Sequence, residues 1–167
     1  IVFFDKTKNK ANINQAQPSY NPNALLQKMV AKDLVLRAKK NIISAKNIID
    51  LGSGTGFVAE EILAEFVDKK IVQLDIAQKM LEQNSFPTHK IVADIEALPL
   101  QENIFDLALS SLSFQWLNDL EKTILQILKT IKNDGNFHFS LLGSESLKEL
   151  KIARQNCQIP LSINDFF

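Results

Sequence analysis

Cysteine is nearly absent: Cys157 is the only one among 167 residues, so no internal disulfide can form. A lone thiol fits a reducing cytoplasm, which is the expected location. Long apolar runs are missing too. None approaches the roughly 20 residues that cross a bilayer, and Ile1-Val2-Phe3-Phe4 gives way at once to Asp5 and Lys6. Neither a membrane span nor a signal peptide is expected. Histidine is scarce. His89 and His138 fall at strand positions and Cys157 has no metal-ligand spacing with them, so all three read as structural and no metal is expected. No nucleophile–base pair is visible. Tyr20 is the only tyrosine or tryptophan within the basic N-terminal stretch, which leaves no stacking platform for nucleic acid.

What is present describes one domain with a real core: 46% of residues are hydrophobic and 23% charged. Net charge is formally zero but unevenly spread. Nine basic side chains in residues 1–46 face only Asp5 and Asp33. That excess describes either a solvated lysine-rich surface or a face that attracts an acidic partner. Residues 5–21 read as a polar arm. Asn21-Pro22 has the form of a helix start, and Leu25, Leu26, Met29, Val30, Leu34 and Val35 recur at helical spacing, predicting a helix to about Lys40. From Asn47 onward strands and helices alternate. Strands are expected at 48–51, 70–74, 90–93, 105–110 and 136–142, with helices at 57–67, 76–83 and 119–131. Ser146 and Glu149 have capping-box spacing for a further helix. Alternation of this kind, with right-handed crossovers, specifies an α/β fold with a doubly wound, mainly parallel sheet.

Three of the five glycines crowd into Asp50-Leu51-Gly52-Ser53-Gly54-Thr55-Gly56, between an expected strand and helix. Glycine admits positive φ and lets a ligand approach bare backbone, and the N–H groups opening the next helix favour electron-rich groups. This is the form of a nucleotide-type site. The dinucleotide fingerprint G-x-G-x-x-G fails because Phe57 holds its third glycine position, and no Gly-Lys-Ser or Gly-Lys-Thr follows for a phosphate loop. Two acids close strands at the same sheet edge. Asp75 is placed to accept from both hydroxyls of a ribose, and Asp94 from an adenine amine, with Ile76 and Ile95 positioned to sandwich the ring. Asp50 lies where a cationic tail would sit, helped by a backbone carbonyl at Ser110 or Ser111. Phe114, Gln115 and Trp116 follow the fourth strand, where they line an acceptor pocket or pack a loop.

Asp50 to Gly56, Asp75-Ile76-Ala77, Asp94 to Leu100 and Phe105-Asp106-Leu107 resemble the motifs of class I S-adenosylmethionine-dependent methyltransferases. Tyr20, Ala24, Leu26, Gln27, Gln115-Trp116 and Ser146 to Leu150 resemble, more narrowly, the malonyl-acyl-carrier-protein O-methyltransferases of biotin synthesis. The resemblance implies a Rossmann-like core that binds S-adenosylmethionine through Asp50, Gly52, Ser53, Gly54, Gly56, Asp75, Ile76, Asp94, Ile95 and Ser110. It implies methylation of the free carboxylate of a malonyl thioester, with an acidic acyl-carrier protein as partner and S-adenosylhomocysteine as product. Tyr20, Gln115 and Trp116 would position that substrate. A carboxylate is already ionised at neutral pH, which agrees with the missing general base. Three regions are implied: an arm and helix over the substrate side (1–46), a cofactor-binding core (47–143) and the start of a C-terminal cap (144–167). The fold has seven strands and five are legible here, so the chain reads as truncated after the fifth. Ser110-Ser111-Leu112-Ser113 and Trp116 to Leu120 also resemble the respiratory complex I assembly factors linked to arginine hydroxylation. A non-catalytic binding module is the third possibility.

Overall fold

The computed structural model describes residues 5–6, 20–143, 146, 148 and 152. Its elements run α1 (Leu25–Ser44), β1 (Asn47–Leu51), α2 (Phe57–Glu65), β2 (Lys70–Asp75), α3 (Gln78–Leu81), β3 (His89–Val92), β4 (Phe105–Ser111), α4 (Leu120–Thr130) and β5 (Ile131–Ser140). Single 3₁₀ turns occupy Ile95–Ala97 and Phe114–Trp116. The five strands form one sheet in the order β3-β2-β1-β4-β5, with every neighbouring pair parallel. The order reverses between β1 and β4, which is where an open sheet of this kind leaves a crevice at its carboxyl edge. This is the Rossmann-like class I methyltransferase architecture that the sequence motifs implied.

Side-chain alternation along β1 and β4 divides the core between the two sheet faces. Ile48, Leu107 and Leu109 pack with Ala31, Leu34, Ala38 and Ile42 of α1 and with Val58 and Ile62 of α2. Ile49, Leu51 and Ala108 point the other way, onto Ile95, Phe105, Phe114, Ile127 and Ile131. Each fully buried isoleucine contributes roughly 1.5–3 kcal/mol of burial. The small Ala31 and Ala38 let α1 lie close to the sheet.

Several boundaries differ from the sequence-based expectation. α1 runs to Ser44 and buries the expected Leu34 and Val35 together with Ala31, Ala38 and Ile42, whereas Leu25, Leu26 and Met29 of its first turns are exposed. Asn21 does not cap it. The residues at 20–23 form a separate helical turn, and the Asn21 side chain instead accepts a hydrogen bond from the Thr55 hydroxyl at 2.7 Å. The expected helix at 76–83 shrinks to Gln78–Leu81. β5 begins five residues early and carries an irregularity: between Phe105 and Leu107 of β4 the paired β5 residue jumps from Ile131 to Asn136. Gly135 sits in that kink, where an added Cβ would lie 2.4 Å from Ile131 Cγ2. Asp119 does cap α4, accepting from the Lys122 N–H at 3.0 Å. Cys157, most of the polar arm and the helix expected from Ser146 lie outside the described residues, apart from single positions.

Candidate functional site

At the carboxyl edge of the sheet two adjoining hollows open, of about 380 and 100 Å³. Asp75, Gly52, Ser113 and Trp116 line both, so they form one crevice. Asp50, Ser53, Gly54, Tyr20 and Gln115 line the larger part, and Ile76, Asp94 and Ile95 the smaller. Of the thirteen site residues that the resemblance implied, eleven line this crevice, and Gly56 and Ser110 do not; Ser111 lines it as well, whereas Phe114 packs in the core instead.

The three glycines do different work. All have positive φ, at 68°, 54° and 90° for Gly52, Gly54 and Gly56. A Cβ on Gly52 would meet Ser113 Cβ at 2.4 Å, and one on Gly56 would meet Gln73 Nε2 at 2.7 Å. Those two are glycine because the protein itself packs against them. Only Gly54 faces open space, with nothing within 4 Å. It alone leaves bare backbone for a ligand.

Ser110 is fully buried and donates to the Leu51 carbonyl at 2.8 Å, with Ser113 donating to the same oxygen at 3.1 Å. The two hydroxyls thus tie the end of β1 to the end of β4. Sequence reasoning had no signal for Ser113, because its role depends on β1 and β4 being neighbours. Leu112 was missed as well. It adopts φ 50°, unusual for a bulky residue, and its carbonyl accepts from the Gln115 side chain at 2.8 Å. That bond aims the turn carrying Trp116 at the crevice.

Electrostatics define what the crevice can hold. Asp50 is fully buried, and neither carboxylate oxygen has a hydrogen-bond partner among the described residues. Burial, aided by the nearby Asp75 charge, pushes its carboxyl up to about 8. Asp75 accepts from the Gly54 N–H at 2.8 Å and the Ala77 N–H at 2.7 Å. Burial raises its pKa and those bonds pull the other way, the net shift being upward. Burial also raises the Tyr20 hydroxyl, with the Asp75 charge adding to it. Tyr20 stacks on Phe57 with ring centroids 6.2 Å apart, forming an aromatic wall. A pyrophosphate would confront two buried carboxylates here. A ligand bearing a cation near Asp50 would relieve them.

At the smaller end, Asp94 accepts from the Glu96 N–H at 2.9 Å and from Lys6 Nζ at 2.5 Å. Lys6 also pairs with Glu96. Nothing in the sequence pattern pointed to Lys6, 88 residues away from Asp94.

Comparison with known proteins adds the family. The model of a methyltransferase domain matches residues 49–139, which take in the glycine loop, both strand-end acids and the whole edge from β1 to β5. The chain belongs to the methyltransferase-domain family. Within it, the chain is similar to the malonyl-[acyl-carrier protein] O-methyltransferase of Methylovorus sp. (strain MP688), 29% identical over 174 residues. That alignment covers 97% of this chain and 59% of the relative, so the chain spans under two thirds of that relative's length. It is also similar to the mitochondrial arginine-hydroxylase NDUFAF5 of Mus musculus, 43% identical over 110 residues, or 64% of this chain and 32% of that protein. Among solved structures, the plantazolicin methyltransferase BpumL with a substrate analogue and SAH superposes with a TM-score of 0.67 at 15% identity, covering 87% of this chain and 64% of that one. At that identity the likeness speaks for the fold. One methyltransferase-domain fold carries many reactions, so the fold by itself does not name the acceptor.

Proposed function

We propose that this methyltransferase domain holds S-adenosylmethionine and transfers its methyl group to the free carboxylate of a malonyl thioester on an acyl-carrier protein. The observation that carries the cofactor is Asp50: a fully buried carboxylate, without a hydrogen-bond partner among the described residues and facing a crevice, calls for a cation. The cofactor supplies an ammonium, and its sulfonium supplies an electrophilic methyl group. Asp50 would take the ammonium, with the backbone of Gly52, Ser53 and Gly54 alongside the tail. Asp75 keeps a free lone pair on each oxygen for the two ribose hydroxyls. Asp94 would accept from the adenine amine between Ile76 and Ile95. Gly56 and Ser110 would act from behind, holding the loop and the ends of β1 and β4 in place. Tyr20, Gln115 and Trp116 would orient the acceptor, and the aromatic wall excludes water from the transfer line.

The acceptor reading rests on the malonyl-carrier relatives, which align along 97% of the chain. An assay of labelled methyl transfer from S-adenosylmethionine to malonyl-carrier protein tests it. Ester formation that is lost in Asp50→Asn is the expected result. Cofactor binding without transfer would remove the malonyl acceptor and leave the cofactor assignment standing. A second reading, chemistry on a protein arginine, is favoured by the higher identity of the core to the arginine-hydroxylase, 43% over 110 residues. Mass analysis of an arginine-containing protein substrate after incubation separates the two.

A further inference from the structure

The place proposed for the adenine amine is already taken by a side chain of the protein. Both oxygens of Asp94 are engaged, one by the Glu96 N–H at 2.9 Å and the other by Lys6 Nζ at 2.5 Å. Lys6 lines the smaller hollow beside Ile76 and Ile95. Its ammonium bridges two carboxylates, Asp94 and Glu96, which are 29% and 13% exposed. Without it those two acids would repel each other in a half-buried setting. Glu96 is a hub in its own right: its other oxygen accepts from the backbone N–H groups of Asn118 at 3.1 Å and Asp119 at 2.8 Å. Those residues follow Trp116, which lines both hollows.

We infer that Lys6 is an internal competitor for the adenosyl group, a latch that closes the adenine end by bridging Asp94 to Glu96 and opens by withdrawing onto Glu96 alone. The inference rests on the cofactor reading above. An adenine amine would approach the carboxylate that Lys6 now holds through the small hollow that Lys6 itself lines beside Ile76 and Ile95, so the lysine side chain and the ring compete for that space and for Asp94. Glu96 offers Lys6 a second anchor, so opening breaks one ion pair rather than two. Part of the cofactor's gross affinity is consumed in that exchange, and the closed latch keeps the empty adenine end from exposing two unpaired acids. Because Glu96 also fixes the loop after Trp116, the latch sits between the cofactor end and the acceptor end of the crevice.

The test uses the full chain with Lys6→Met, which keeps the aliphatic stem, and Lys6→Gln as a second variant, each checked by thermal melting. Binding of S-adenosylhomocysteine and of adenosine is measured by calorimetry at low and high salt. Adenosine lacks the amino acid tail and so reports on the adenine end alone. Both variants should bind both ligands about two- to tenfold more tightly at low salt, the scale of a partly exposed ion pair. The gap should narrow as salt weakens the Lys6 pairs in the wild-type chain. Unchanged affinity would overturn the latch, and weaker binding would make Lys6 a ligand contact instead. If neither the wild-type chain nor a variant binds either compound, the cofactor reading itself falls, and the latch with it.

Discussion

At the scale of single residues, Asp50 sets the terms. Its carboxyl is raised to about 8 in the folded chain by burial and by Asp75, against a value near 4 when unfolded. The native state therefore keeps a proton that the unfolded chain gives up, and stability falls as pH rises from about 4 to about 8, then levels off. Asp50→Asn has no such loss. Its unfolding free energy, read by urea denaturation, should rise relative to wild type as pH is raised, by a difference growing roughly 1 kcal/mol per pH unit across that window. A flat difference between pH 5 and pH 8 would show that Asp50 is not held protonated. The same substitution should weaken S-adenosylhomocysteine binding by about ten- to a hundredfold, the scale of a charge-assisted hydrogen bond. Together the two outcomes would mark Asp50 as a group that costs stability and serves a ligand. Its presence in the glycine motif was legible in the sequence. Its lack of a partner among the described residues was not, because that depends on β1 lying between β2 and β4, with Ser110 and Ser113 directed at Leu51 rather than at Asp50.

At the scale of elements, the joint between β1 and β4 positions the site. Asp106, on β4, accepts from the N–H groups of Lys46 at 2.9 Å and Asn47 at 2.7 Å and from Lys132 Nζ at 2.6 Å. Burial works against its ionisation, but the Asn47 N–H and the Lys132 ammonium outweigh it and hold its pKa below the usual carboxylate value. A depressed carboxylate contributes stability that is full above about pH 4 and disappears as the pH falls through its folded value. Asp106→Asn should therefore cost about 1 kcal/mol at pH 7, read by urea denaturation, with the difference shrinking as the pH falls below about 4. A loss that does not shrink with falling pH would mean that packing, not charge, is at stake. Element types followed from periodicity, and their lengths did not. α3 has only four residues and buries only Met80 and Leu81, and the small Ala31 and Ala38 let α1 approach the sheet while Leu34, Val35 and Ile42 fill the space between.

For the whole molecule, the parallel order β3-β2-β1-β4-β5 brings segments 20–60 residues apart to one edge. Hydrogen exchange with saturating S-adenosylhomocysteine should show this directly. Amides in the loops at 52–56, 94–97 and 112–117 should gain protection together, while those in the middle of α4 should not change. Protection gained in only one of the three loops would break the single-crevice reading. The amino-acid sequence by itself determined the alternation of strands and helices, the glycine turn and the two acids closing β2 and β3. Each of those is a local matter of side-chain period, backbone freedom and chain order. Only the tertiary structure decided that Gly54, alone of the three loop glycines, faces open space, that Asp50 has no hydrogen-bond partner among the described residues and that Lys6 reaches Asp94. Those facts arise from neighbours distant in the chain, whose positions exist only once the sheet has closed and excluded water between them.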